Sequence, residues 1–366
     1  METIAFARGV PAHDMIPIAA ISAAATEVLD ADAPRILSYG TGGGYPPLRD
    51  LLAGQHHVST NRVIVTSGSL QGFALYAQLL RDRHTGPGKP VVIVENPTYD
   101  RPLIVLKRLG FEIRSVDLDG NGLDPDALEA ALAPGDVTFV YIIPSFQNPA
   151  GVTLSDERRE RVLTITARAG VPLFEDDPYG QLHFTEPAPT PIFGRRGDDH
   201  VTYACSFSKT VSPGLRVGYL VVPDNLAGDL ERYANDTYIS ATLLGQAIVA
   251  NLIEHQHIGP AIAHARALLH RRSELLAAAI ETHLPEAEWH KPTGGYFAWV
   301  ALPDALDADA LLPRATELGV TFVPGSAFGT GHANAMRIAF SSPPIDSIEV
   351  GIERLARAAS EQLAAV

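Results

Sequence analysis

The sequence predicts an α/β protein. A large unit is built on a mostly parallel, seven-stranded sheet sandwiched by helices, and a small α+β unit follows it. Three observations lead there. From about residue 60, short apolar runs alternate with helical spacings for roughly 160 residues. The runs are apolar on both faces, as expected of a sheet covered on both sides. Polar and charged residues collect just after the runs, where a parallel sheet opens its binding crevice.

Residues 1–35 read as an arm and one helix (18–29), expected to pack on the small unit. Residues 39–50, from Tyr39 and Gly40 to Asp50, form a Gly/Pro loop. No strand feeds this loop, and it lacks the Gly-Lys-Ser/Thr ending of a P-loop. Strands are expected at 62–66, 91–95, 112–116, 137–143, 171–175, 201–205 and 216–222. Helices fall between them at 72–80, 103–109, 125–133 and 155–169, the third capped by Asp124. Beyond residue 222 come helices at 226–237 and 243–255, then a long helix at 258–284. Strands at 296–301, 320–323 and 336–340, with helices at 308–318 and 345–366, make up the small unit. The chain is therefore divided into 1–35, a large ligand-binding unit 36–255, and a small unit 256–366.

Composition narrows the function. The 366 residues carry 28 basic against 42 acidic side chains, a net charge of -14, which argues against a nucleic-acid surface. There is no apolar run of roughly 18 residues to span a membrane, and no secretory leader pattern. The single cysteine, Cys205, excludes an internal disulfide framework and fits a reducing cytoplasm. The histidines show no metal-binding spacing, so no metal is expected.

Four lysines occur: Lys89, Lys107, Lys209 and Lys291. Only Lys209 stands at the exit of a buried strand beside hydroxyls and a guanidinium, in Ser206-Phe207-Ser208-Lys209 with Arg216 downstream. Burial and nearby cations make such an ammonium lose its proton more easily, and a neutral amine can condense with a carbonyl. Ser69, Tyr99, Asn148, Asp176 and Tyr179 also follow strand runs, so the fold gathers them around Lys209. Ser69 opens a helix, whose free amides favour a phosphate. Ser206, Ser208 and Arg216 add donors to it. Asp176 suits a protonated ring nitrogen, Asn148 and Tyr179 a ring oxygen, and Tyr99 a ring face. A phosphorylated, aldehyde-bearing pyridine satisfies this set, which points to pyridoxal 5'-phosphate.

At this point the chain resembles the fold type I pyridoxal-phosphate-dependent aminotransferases of the class I/II group. The nearest subgroup holds 2-aminoadipate, kynurenine and valine–pyruvate-like enzymes and the effector domains of MocR-type regulators. Ordered motifs along the chain carry the resemblance. They run from Gly9-Val10-Pro11 through Ser67-Gly68-Ser69, Asn96-Pro97-Thr98-Tyr99 and Gln147-Asn148-Pro149-Ala150-Gly151. They continue through Glu175-Asp176-Asp177-Pro178-Tyr179, the lysine motif, and Pro324-Gly325-Ser326-Ala327-Phe328 followed by Met336-Arg337-Ile338-Ala339-Phe340. The resemblance implies that Lys209 bonds the cofactor and that Asp176 pairs with the pyridine nitrogen. Leu70, where many relatives carry Gln, would join the phosphate site through its backbone alone. Arg337 would grip the substrate α-carboxylate, Gly40 would line the substrate pocket, and Tyr39 would reach the phosphate of a neighbouring subunit in a homodimer. The reaction implied is transfer of the amino group of an α-amino acid to a 2-oxo acid. Two other readings stay open: the same fold performing decarboxylation, elimination, cyclisation or oxidation, and a non-catalytic ligand sensor.

Overall fold

The computed structural model of the chain describes residues 3–364. Its largest sheet has strands in the order Val63–Thr66, Gly218–Val221, Val201–Ser206, Leu173–Asp176, Val137–Ile142, Val91–Asn96, Glu112–Asp119 and Gly122–Leu123. The five central and inner strands from Val201–Ser206 to Glu112–Asp119 run parallel, and Gly218–Val221 is antiparallel to both of its neighbours. The sheet thus has eight strands where the sequence predicts seven. The extra strand, Gly122–Leu123, is a two-residue hairpin partner of Glu112–Asp119 and is too short to show a period of two.

Alternation along the strands divides the core. Val63, Val65, Ile93, Val140 and Ile142 face one apolar cluster with the helices Pro46–His56, Asp156–Ala169 and Leu243–Glu254. Ile64, Val92, Val94, Phe139 and Tyr141 face the other, with the helices Ser69–Arg83 and Asp224–Tyr238. Both faces are therefore covered, as the doubly apolar strands require.

A second, antiparallel sheet orders Glu288–Trp289, Phe297–Ala301, Ala335–Ala339 and Val323–Pro324. It packs with the long helix Ile258–His283 and the last helix Ile348–Leu363 around a separate core. That last helix is preceded by the single turn Ile345–Ser347, and its expected end at 365–366 lies outside the described residues.

The N-terminal segment corrects one expectation. The arm does pack on the small unit: Ile4–Ala5 pairs in parallel with Val320–Thr321, and Phe6 and Met15 join its core. The helix that follows, Ile18–Ile36, does not. Its stripe of Ala20, Ile21, Ala24, Ala25 and Val28 packs into the large core with Leu243–Glu254. Spacing shows that a helix has an apolar stripe, but not which of two apolar surfaces will cover it.

Candidate active site

Sheet register assembles the site. Gly218 pairs with Thr66 on one side and with Ser206 on the other, so the turns after those two strands meet above it. A Cβ on Gly218 would collide with the Ser69 amide nitrogen, so this close approach requires glycine. Ser69 begins a 15-residue helix whose cap, Gly68, has no side chain to occupy the first free amides. Arg216 adopts a left-handed backbone at φ 53, which turns its guanidinium back across the same point. Its Nη2 donates to the Ser67 carbonyl at 2.7 Å, and its Nη1 reaches the Ser208 hydroxyl at 3.5 Å. Hydroxyls, helix amides and a guanidinium thus form a cup suited to a phosphate.

The cup opens into a cavity of about 630 Å³. Ser69, Leu70, Tyr99, Asn148, Asp176 and Tyr179 line it, and so do Ser206, Ser208, Lys209, Arg216 and Arg337. Two named residues stay outside. Tyr39 is 83% exposed on the surface of the chain. Gly40 donates its amide to the Ser240 hydroxyl and packs on Leu243, which holds it away from this cavity. The arm takes that place instead, with Gly9 on the cavity wall. A Cβ on Gly9 would run into the Phe297 ring.

Inside the cavity, Asp176 is buried and its Oδ2 accepts the Tyr141 hydroxyl at 2.8 Å. Its Oδ1 has no partner. Burial pushes the Asp176 carboxyl up to about 7, while the Tyr141 hydrogen bond works against that rise. A buried carboxylate oxygen without a donor is costly unless a ligand supplies one. Lys209 Nζ donates to the Gly9 carbonyl at 2.7 Å and lies 5.8 Å and 5.4 Å from the ring centres of Tyr179 and Tyr296. Burial, then the Arg337 charge, pulls the lysine down to about 8. A sizeable fraction of the amine is therefore neutral near physiological pH.

Arg337 lies on the strand Ala335–Ala339, between the rings of Phe297 at 4.4 Å and Phe328 at 4.8 Å. Its Nη1 donates to Asn148 Oδ1 at 2.9 Å and its Nη2 to the Ala7 carbonyl at 2.8 Å. Its Nε is buried without an acceptor, and no carboxylate among the described residues forms a salt bridge with the group. This is a guanidinium held ready for an anion. Because Asn148 Oδ1 is taken by Arg337, the Asn148 Nδ2 remains as a donor toward the cavity.

The expected cofactor fits this donor set. The phosphate cup, the unpartnered Asp176 oxygen and the partly neutral Lys209 amine meet three different parts of a phosphorylated pyridine aldehyde. Two contributors have no sequence signal. Tyr141 is a mid-strand residue like its core neighbour Phe139, and Tyr296 donates to the Lys209 carbonyl at 2.8 Å from the other core.

Known proteins resemble this chain over nearly its whole length. The profile of the family "Aminotransferase class I and II" matches residues 2–355. An aromatic-amino-acid aminotransferase of Thermococcus litoralis is 32% identical, over 99% of this chain and 89% of its own length. A 2-aminoadipate transaminase of Thermus thermophilus is 31% identical, over 99% and 91% respectively. The crystal structure of an α-aminoadipate aminotransferase from Thermus thermophilus, complexed with N-(5'-phosphopyridoxyl)-L-leucine, superposes with a TM-score of 0.94. It is 30% identical and the match covers 100% of this chain and 94% of that one.

Proposed function

This chain belongs to the class I and II aminotransferases, and from that premise we propose which of its residues perform the reaction. It is a pyridoxal 5'-phosphate-dependent transaminase acting on an α-amino acid and a 2-oxo acid. When bound, the cofactor supplies a protonated ring that stabilises negative charge at the substrate's α-carbon. Asp176 keeps that ring protonated through Oδ1, and its unpartnered state is the observation that carries the assignment. Lys209 would hold the cofactor and would then act as the base that removes the proton from the substrate α-carbon and as the acid that delivers it on the cofactor side, a role its lowered proton affinity supports. Ser69, Leu70, Ser206, Ser208 and Arg216 would hold the phosphate. Tyr99 would stack on the ring, and Asn148 and Tyr179 would bind its oxygen. Arg337 orients the substrate by its α-carboxylate. In this division residues 36–255 hold the cofactor, and residues 256–366 bring Arg337 to it. A cytoplasmic setting belongs to the same reading.

An L-amino acid supplied without an oxo acid is expected to yield one equivalent of oxo acid per site and then stop. Continued product, or carbon dioxide, would mean oxidation, elimination or decarboxylation instead. In Arg337→Lys the KM for the amino acid should rise roughly ten- to a hundred-fold, since lysine keeps the charge but loses the planar fork. If amines lacking a carboxylate turn over as well as amino acids, the role given to Arg337 is wrong.

We further infer a homodimer in which Tyr39 completes the partner's phosphate site. Tyr39 is 83% exposed, on the loop that leads into the helix Pro46–His56. Mixing inactive Lys209→Ala with inactive Tyr39→Ala protein should restore part of the activity, because some mixed dimers carry one intact site. No recovery after proven subunit exchange would count against sharing.

A further inference from the structure

In the motif Asn96-Pro97-Thr98-Tyr99, the asparagine has no part in the proposed reaction. Asn96 ends the strand Val91–Asn96 and is 6% exposed. Its Nδ2 donates to Oδ1 of Asp117 on the neighbouring strand at 2.7 Å, and to the Thr330 carbonyl at 3.1 Å. Its Oδ1 accepts from the Thr330 amide at 3.2 Å. The partners fix the orientation of the side-chain amide, because an ionised carboxylate only accepts and a backbone N–H only donates. Asn96 therefore grips both backbone groups of one residue in the small unit.

A further bond runs beside this grip, from the Thr98 amide to the Phe328 carbonyl at 2.9 Å. Between Phe328 and Thr330 lies Gly329, where a Cβ would fall on Asn96 Oδ1. Phe328 is buried edge-on against Trp299, and its ring lies 4.8 Å from the Arg337 guanidinium. On the other side, the Pro97 carbonyl accepts from Gln147 Nε2 at 2.9 Å, next to Asn148, which accepts from Arg337. The loop that carries Tyr99 is thus pinned to two groups that hold Arg337.

We propose that Asn96 is a positioning residue for the substrate carboxylate: it straps residues 325–330 to the large sheet and so keeps Phe328 against the Arg337 guanidinium. This rests on the role given to Arg337 and deepens it. A buried amide with its bonds met holds its partners in one arrangement. Without the strap the ring shifts, and the guanidinium loses the fixed plane that bidentate binding needs.

The test uses the cofactor-loaded protein and two probes without an amino group, 4-methylpentanoate and 4-methylpentan-1-ol, which share a skeleton and differ in the carboxylate. In Asn96→Ala the Kd of the acid, read by calorimetry, should rise about tenfold and that of the alcohol should not. For the amino acid that wild type converts fastest, KM should rise by a similar factor. Its kcat, and the cofactor's dissociation constant, should stay within about threefold, a split that general loosening would not produce. Gly329→Ala should reproduce the change by itself, and it decides the matter if Asn96→Ala does not fold. The double variant should lose about tenfold rather than a hundredfold, since removing the Asn96 amide makes room for the new methyl. Equal weakening of both probes, an unchanged preference in either folded variant, or additive loss in the double variant overturns the proposal. If wild type itself binds the acid no better than the alcohol, the Arg337 assignment fails and the strap's role fails with it. A wild-type preference that survives the substitutions removes the strap alone.

Discussion

Replacing Lys209 with glutamine is expected to lower turnover by about 10⁴-fold or more, the upper range of what a positioned acid–base group contributes. The amine is buried, and burial together with Arg337 brings its proton affinity down to about 8. No second lysine can take over. Lys291 is an exposed partner of Glu274 at 2.8 Å, outside the cavity. Glutamine is one atom shorter but still carries an N–H donor toward the Gly9 carbonyl, so the circular dichroism spectrum and melting point should change little. Borohydride treatment of the loaded wild type, followed by peptide mapping, should label Lys209. A label on another lysine, or retention of more than about a hundredth of the turnover in Lys209→Gln, would sink the site assignment.

Asp176→Asn should cost about 10³-fold in turnover and loosen the cofactor. The exchange preserves size and still accepts the Tyr141 hydroxyl, so it isolates the charge. A buried cation that loses its counter-ion is destabilised by about 3–5 kcal/mol, and 10³-fold corresponds to about 4 kcal/mol. The loss should appear in kcat as well as in the cofactor's dissociation constant, because ring protonation matters after binding. Saturating cofactor that restores wild-type turnover would reduce Asp176 to a binding residue. Turnover within about threefold of wild type would remove it from the mechanism.

Much of the site was legible because a parallel sheet converts strand endings into a common location. Ser69, Asn148, Asp176 and Lys209 could be placed together without any knowledge of contacts. What escaped was side chains whose role depends on register or on the second core. Tyr141 differs from Phe139 by one oxygen, and only the parallel pairing of the strands Val137–Ile142 and Leu173–Asp176 brings that oxygen to Asp176. The helix Pro46–His56 was hidden in a stretch read as loop, because Pro46 and Pro47 occupy its first turn, where a missing N–H does no harm. The first helix runs on to Ile36 through a kink at Asp32, with Pro34 inside it, which spacing alone would end sooner. The arm's packing was legible, but its part in the site was not. Its contacts to the site run mainly through the carbonyls of Ala7 and Gly9, and a carbonyl leaves no trace in the identity of a residue.

That arm also sets an order of events during synthesis. Ile4 pairs with Val320, and the Phe6 carbonyl accepts from the Ala339 amide. The segment that steadies Lys209 and Arg337 thus leaves the ribosome well before the strands it pairs with. At about 5–20 residues per second, it waits on the order of 15–65 seconds for the strands that receive it. The large sheet can close in that interval with its cofactor cup already formed, since Ser69 to Arg216 precede the long helix. On the proposed assignments, the residues of the phosphate cup are therefore all made well before Arg337.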